Sequence, residues 1–567
     1  MKRSMTFLSI IFLLAFSLTA QVRTGNIYGK AVDSSGVPLP GVTVTLTGSL
    51  TAALSFVTTA EGNFRFISLS PARDYSLKAE LQGFKTTTRG DILIVAGSNV
   101  DLTLTLEQGT LTEEVTVTAA TPVIDAKKTT IGVTISQEIL QSLPSARDPF
   151  NVMKLAPGTG TYTEDVGGSE GGQAIIPSAR GGFSTNLFVM DGMVINDAYY
   201  IGCNPTYFDF DTFDEINVTV GGADVTAQSG GIALNLVSRR GGNKISLGGR
   251  FYLTDSKFQA DNMSDALRKE GLAGTNRINV IRDYGFNLGG PIVKDKAWFY
   301  GSYGVQDIQN ITRFNLPSKT ILETLLAKLN FQIVPQNRLE LFAEGNRKLM
   351  WGTGASTFNP EGYDRPGLYH FGYPVLRIQD EHMFGENMFA SVKFGFWDGG
   401  YIEAPARDVK GQLLAINDLR EKRGYGGYLT EDAPHPAYQA TGALTYFNDN
   451  LFGVSHEMKL GFEYSYRPSE VEWNYPGNLQ LERNFVDPTA DFTGDGYPDI
   501  PKDSKFYGLR LSRGRYENQS VNALAGFFSD TLSFGRFNVI LGVRYDQQSP
   551  KVNPSTVLAI DRANNAT

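Results

Sequence analysis

Few residue patterns in this chain are suited to chemistry. Gly167-Gly168-Ser169-Glu170-Gly171 fits G-x-S-x-G, the strained turn that presents a nucleophilic serine between a buried strand and a helix. Here a polar loop precedes the serine and Gly172-Gln173 follow it, so the pattern reads as a turn and no enzyme is expected. Asp491, Thr493, Asp495, Gly496 and Asp499 partly follow the order that sets oxygens around calcium. The twelfth position is Lys502, where such a loop needs a bidentate glutamate. A loop-bound calcium at Asp491, Thr493, Asp495 and Asp499 is therefore a weak candidate beside a solvated turn, and no other cofactor is expected. His370, His382, His435 and His456 are scattered, and none opens an H-E-x-x-H pair. Cys203 is the single cysteine, which excludes a disulfide framework and a cysteine-rich zinc site. One more segment, Glu113-Glu114-Val115-Thr116-Val117-Thr118-Ala119, is short and β-prone, suited to adding as a strand to a partner's sheet.

Composition bounds the elements that must position these residues. The 567 residues carry 51 Lys+Arg against 59 Asp+Glu, a net charge of −8, without the basic footprint of a nucleic-acid binder. The 61 Gly, 36 Phe and 25 Tyr suit aromatic-rich strands joined by many turns. No long apolar run follows the first twenty residues, which excludes a helical membrane protein. Residues 1–20 read as a secretory signal, with Lys2 and Arg3 as the positive start, an apolar stretch from Phe7 to Leu18, and cleavage after Ala20.

Over residues 25–106, short strands are predicted at 27–32, 42–47, 54–58, 63–67, 75–79 and 100–106. Turn residues such as Asp33-Ser34-Ser35-Gly36 and Glu61-Gly62-Asn63 separate them. That spacing describes a small β-sandwich. Residues 29–41 (GKAVDSSGVPLPG), 59–66 (TAEGNFRF) and 81–84 (LQGF) resemble the carboxypeptidase regulatory-like domain, which implies an accessory module rather than a catalytic unit.

Residues 113–243 mix strands, helical pieces over 136–143 and 148–155, and glycine loops at 158–172 and 221–231. Residues 179–197 (ARGGFSTNLFVMDGMVIND) and 213–242 (FDEINVTVGGADVTAQSGGIALNLVSRRGG) resemble, in order and spacing, the plug domain of TonB-dependent outer-membrane receptors. Met193-Val194 stands where that family often has Val-Pro. The resemblance implies a plug inside a 22-stranded barrel. It makes Arg180, Gly181, Asp191 and Gly192 plug-motif residues whose charges would pair with the barrel wall, although Asp191-Gly192 also reads as a plain turn. It makes 113–119 a TonB-box candidate, the alternatives being a linker or a first plug strand.

Residues 244–567 carry a barrel pattern of their own. Phe537, Val539, Leu541, Val543 and Tyr545 alternate with polar residues or glycine, with Ile540 the exception; Met458, Leu460, Phe462, Tyr464 and Tyr466 do the same. Runs of about ten residues with one apolar face suit tilted membrane strands. Short connections near 291–295, 335–337, 384–386, 448–452 and 532–535 alternate with long ones at about 255–281, 307–319, 350–372, 398–436 and 467–519, the rhythm of outer-membrane barrels. Trp298, Phe299, Tyr300, Phe396, Trp397, Tyr464 and Tyr466 lie near strand ends, as in an interfacial girdle.

About eleven strands are predicted, half the 22 that the resemblance implies, so the sequence reads as a chain cut short within its barrel. The expected organisation is mostly β: a signal peptide (1–20), a sandwich (25–106), a mixed α/β plug (113–243) and the first half of an antiparallel transmembrane barrel (244–567). The resemblance implies active import of a scarce small-molecule, glycan or peptide ligand across the outer membrane of a Gram-negative cell. The partners would be a TonB energy-transducing complex, outer-membrane lipid and that ligand, with no nucleic acid. The sandwich and the TonB-box candidate would lie on the periplasmic side. An adhesion or secretion-linked protein on the same architecture is the alternative.

Overall fold

The computed structural model describes residues 24–557 apart from 110–113, 118–129, 144, 146, 162–176, 180–185, 198, 200–203, 205, 223–224, 226–230, 272–273, 314, 352–369, 372–373, 404–414, 419–422, 426–429, 475–479, 485–507, 513 and 536. The first layer holds β1 (Gly25–Asp33), β2 (Thr43–Gly48), β3 (Thr51–Val57), β4 (Asn63–Leu69), β5 (Ala72–Glu80), β6 (Thr86–Ile94), β7 (Asn99–Leu106) and β8 (Glu114–Val117). They form two sheets, β4-β1-β7 and β3-β2-β5-β6-β8. Strand alternation turns Ile27, Val44, Leu77, Ile92 and Leu102 into one buried core between them. All six expected strands are present. β6 is an addition, because its Thr86-Thr87-Thr88 start is polar, Asp91 is left-handed (φ 55°) and the pairing with β5 shifts register, all of which hide the two-residue period. β8 is a second difference. The described part of the TonB-box candidate is neither a plain linker nor a plug strand, but pairs parallel with β6.

The second layer holds β9 (Ile131–Ser136), α1 (Gln137–Ser142), the short pair β10 (Thr159–Thr161) and β11 (Pro177–Ala179), then β12 (Leu187–Met190), β13 (Met193–Val194), β14 (Phe213–Gly221) and β15 (Ala233–Ser238). Five of these strands make the sheet β13-β12-β15-β14-β9. Phe188, Phe213, Ile216, Leu234 and Leu236 form its core, which continues without a break into Tyr300, Leu326, Phe342 and Trp397 of the wall.

That wall begins with β16 (Ser246–Asp255), β17 (Arg277–Val293), β18 (Ala297–Ile311), β19 (Pro317–Val334) and β20 (Asn337–Trp351). Next come β21 (His370–Phe371), β22 (Val375–Phe384), β23 (Met388–Asp398), β24 (Tyr401–Glu403), β25 (Ala415–Asp418), β26 (Arg423–Tyr425) and β27 (Thr430–Ala433). It ends with β28 (Pro436–Leu451), β29 (Val454–Asn474), β30 (Gln480–Asn484), β31 (Gly508–Ser512), β32 (Arg515–Phe534), β33 (Phe537–Val552) and β34 (Thr556–Val557). The long strands β16–β20, β22, β23, β28, β29, β32 and β33 are successive antiparallel neighbours, at the eleven expected places. Several run longer than expected: β29 has 21 residues and β32 has 20, past the roughly ten that cross a bilayer core.

Tight turns join the strands on one side. Phe452 (φ 56°) and Gly453 (φ 84°) show the paired positive φ of a type I′ hairpin turn. On the other side the expected long loops 398–436 and 467–519 prove partly structured. Trp473 pairs with Arg515, β21-β24-β27 bridge the far ends of β20 and β29, and β26-β25-β30-β31 make a separate sheet. Among the described residues β16 pairs only with β17, and β33 only with β32. The expected girdle needs correction as well: Trp298, Tyr300 and Trp397 are buried rather than at a lipid interface. They take the inward phase of their strands, where a plug fills the lumen and gives large rings something to pack against.

Candidate functional site

The hairpin β12–β13 turns on Asp191 (φ 46°) and Gly192 (φ 75°), with Met190 paired to Met193 across it. Two left-handed residues in succession make the type I′ turn that Asp-Gly favours. The turn carries a carboxylate and two backbone carbonyls to the inner face of the wall. Lys328 Nζ donates to Asp191 Oδ2 at 2.9 Å and to the Ser238 carbonyl at 3.0 Å. Arg377 Nη2 lies 3.3 Å from the same carboxylate oxygen, and this guanidinium also donates to the Asp191 carbonyl and to Glu340. Lys393 Nζ donates to the Gly192 carbonyl at 2.7 Å. Within the plug, the Ser238 amide donates to Asp191 Oδ1 at 3.0 Å and its hydroxyl donates to Oδ2. Arg240 Nη2 stands 3.4 Å from Glu340.

Strand parity explains why these cations point inward. Along β19, Leu322, Thr324, Leu326, Lys328 and Asn330 are buried, while Glu323, Leu325, Ala327 and Leu329 are not. Register then aligns them, since Lys328 and Arg377 both pair with Phe342 from opposite sides. Both cations lie over the Phe342 ring, at 5.6 and 5.0 Å. Arg377 in turn pairs with Gly395, where a Cβ would come within 2.1 Å of Met193 Sδ. A side chain at this wall position would collide with the hairpin, so the glycine makes room for the turn.

Two more polar seams join plug and wall. Arg147 binds Asp283 at 2.7 Å and Asp211 at 2.8 Å, and Arg250 binds Asp209 at 2.7 Å and Asp283 at 2.8 Å. Burial pushes the Asp209 carboxyl above the usual carboxylate range, against the opposing pull of Arg250. Toward the far end, His435 Nδ1 lies 3.1 Å from Asp197 Oδ2, Tyr199 stacks on the His435 ring at 5.0 Å, and Trp397 Nε1 donates to Thr206 Oγ1 at 2.6 Å. These seams hold a plug by charge-assisted hydrogen bonds. Among the described residues no group of His, Cys, Asp and Glu is placed to hold a metal ion.

Of the residues singled out in the sequence, Asp191 and Gly192 sit at the centre of the first seam. Arg180, Gly181, Glu113, Thr118, Ala119, Asp491, Thr493, Asp495, Asp499, Cys203 and the glycine-serine pattern at 167–171 lie outside the described residues. Glu114–Val117 is in the sandwich sheet, away from the Asp191 seam. Lys328, Glu340, Arg377 and Lys393 were not anticipated. The signal for them was present: a charged residue in the polar phase of a membrane strand has to face the lumen.

An open antiparallel wall of long strands around a five-stranded plug defines the class by fold, a plugged β-barrel. Residues 26–107 match the carboxypeptidase regulatory-like domain. The TonB-dependent transporter Oar of Myxococcus xanthus is 29% identical over 308 residues, 51% of this chain and 27% of that protein. Among solved structures, the outer-membrane transporter YddB of Escherichia coli aligns with a TM-score of 0.54 at 13% identity, over 75% of this chain and 57% of that one. The ferripyoverdine receptor of the Pseudomonas aeruginosa outer membrane, bound to ferripyoverdine, aligns with a TM-score of 0.51 at 16% identity, over 82% and 59%. The chain spans about a quarter of the curated relative and somewhat more than half of these structures. The chain is thus similar in sequence to a TonB-dependent transporter and in fold to plugged outer-membrane receptors, with a carboxypeptidase regulatory-like domain ahead of its plug.

Proposed function

We propose that the whole protein imports a scarce ligand across the outer membrane, driven by a TonB-type energy-transducing complex that engages residues 113–119. The observation that carries this reading is the Asp191-Gly192 seam. A turn held by Lys328, Arg377 and Lys393 can separate from the wall and be rehydrated, whereas a wholly apolar contact would have no polar partner to exchange for water. The resemblance to Oar, whose name marks it as a TonB-dependent transporter, supports the same reading. The ligand class is a small molecule, a glycan or a peptide; one structural neighbour holds ferripyoverdine, which makes an iron chelate the first probe to try. The test uses cells producing the whole protein. Deleting 113–119 should abolish ferripyoverdine uptake while leaving surface binding intact, and collapsing the proton gradient should do the same to the parent. Uptake that survives both treatments would overturn the proposal.

A further inference from the structure

We infer that the edge of β6 is a dock for Glu114–Val117, and that a partner must empty this dock before it can act on the plug. The inference rests on the reading of 113–119 as the coupling segment. Thr86, Thr87, Thr88 and Arg89 pair in parallel register with Glu114, Val115, Thr116 and Val117. β6 has β5 on its other side, so β8 completes the sandwich sheet as its outermost strand. The chain is delivered to that edge rather than meeting it by chance. After β7, the Lys85 amide donates to the Glu107 carbonyl at 2.8 Å, the Gly109 amide donates to the Gly83 carbonyl at 3.1 Å, and Gln108 bridges Phe84. The approach is therefore pinned along the residues that lead into β6.

The sandwich is itself fixed to the short-turn side of the wall. Arg65 binds Asp449 at 2.9 Å, Tyr28 donates to Glu457 at 2.9 Å, and Arg338 donates to the Ser68 carbonyl at 2.8 Å. A segment paired with β6 cannot move relative to the plug unless one of two joints opens, either β8 from β6, or the sandwich from the rim and from the plug, where the Ala96 amide donates to Glu215 at 2.6 Å and Arg73 pairs with Glu138 at 3.1 Å. The first joint is four residue pairs of backbone bonding. The second is a set of partly buried ionic and hydrogen-bonded contacts at the ends of several strands. The shorter, purely main-chain joint yields first. Backbone pairing is also the mode by which a partner's sheet would take an extended segment, so leaving β6 exchanges one ladder for another at little net cost.

A reversible lock tests this. Paired strands lie about 4.8 Å apart, within the Cα separation a disulfide spans, so Thr88→Cys with Thr116→Cys in a Cys203→Ser background should cross-link dock and segment. The purified whole protein is titrated with the periplasmic domain of the energy-transducing protein, oxidised and then reduced. Capture should be weaker by about ten-fold or more in the oxidised form and return on reduction, because only the undocked fraction binds. Hydrogen exchange on the unmodified protein should show 114–117 protected, and unprotected once the partner domain is bound. Equal capture by both forms, failure to cross-link, or no protection at 114–117 would each overturn the dock. A 113–119 deletion that still captures the partner domain would instead sink the coupling reading on which the dock depends.

Discussion

Asp191 has two duties that one substitution separates. As the first central residue of a type I′ turn it needs a positive φ, which asparagine adopts as readily. As counter-charge to Lys328 and Arg377 it needs its negative charge. Asp191→Asn keeps the turn and removes the charge. Lys328 is 0% exposed, and a buried ammonium deprived of its carboxylate costs about 3–5 kcal/mol. The plug of Asp191→Asn should therefore unfold, or become cleavable by protease, at lower denaturant than that of the parent in detergent. Adding Lys328→Met should recover most of the loss, since a neutral pair of similar volume leaves no orphaned ammonium. A single variant as stable as the parent would mean that the seam contributes no binding of plug to wall.

At the scale of elements, the wall stands on the two-residue period, and neighbouring residues of β19 show both of its faces. Leu325 is 60% exposed and Leu326 is 1% exposed. Leu325 lies near the middle of the strand, so Leu325→Arg should cost about 2–4 kcal/mol of folding free energy in lipid vesicles, while Ile333→Arg, on the same face near the short-turn end, should cost about 0–1 kcal/mol. Equal costs at the two sites would show that this face does not meet hydrocarbon. The same period is why all eleven long strands were legible in the sequence. It was blind where polarity stops alternating. Thr86 to Asp91 reads as loop yet forms most of β6. Arg467 to Asn474, which extends β29, was missed for a different reason: its alternation is intact, with Val471 and Trp473 buried and Glu470 and Glu472 exposed, but Pro468 argues locally against a strand. In the site, Asp191-Gly192 was legible as a turn and as part of a motif. Its wall partners were not, because contacts between Asp191 and Lys328, Arg377 or Lys393 depend on the register of β19, β22 and β23 around the plug, which no local pattern specifies.

At the scale of the whole molecule, sandwich, plug and wall each touch the other two, through joints of different character. Plug and wall share an apolar core fastened by the polar seams. The sandwich meets the wall mainly through Arg65, Tyr28 and Arg338 and, between these contacts, leaves an open cleft of about 490 Å³ lined in part by Phe56, Tyr75, Met383, Phe389 and Glu381. A hollow joint gains little from apolar burial and depends on its few polar contacts, which makes it the more easily opened of the two. Arg65 is its most buried charged fastening: it is 5% exposed, binds Asp449, and lies 4.8 Å from the Phe447 ring. Arg65→Ala removes an ion pair and a cation–π contact together, and should free the sandwich without unfolding it or the wall. Spin labels at Thr43→Cys and Glu386→Cys in a Cys203→Ser background should report this as a broadened distance distribution. Raised ionic strength should broaden the parent's distribution less, because a buried pair is only weakly screened. If Arg65→Ala keeps the parent's narrow distribution, the remaining contacts suffice to hold the sandwich, and any opening of the mouth on the short-turn side has to come from the plug alone.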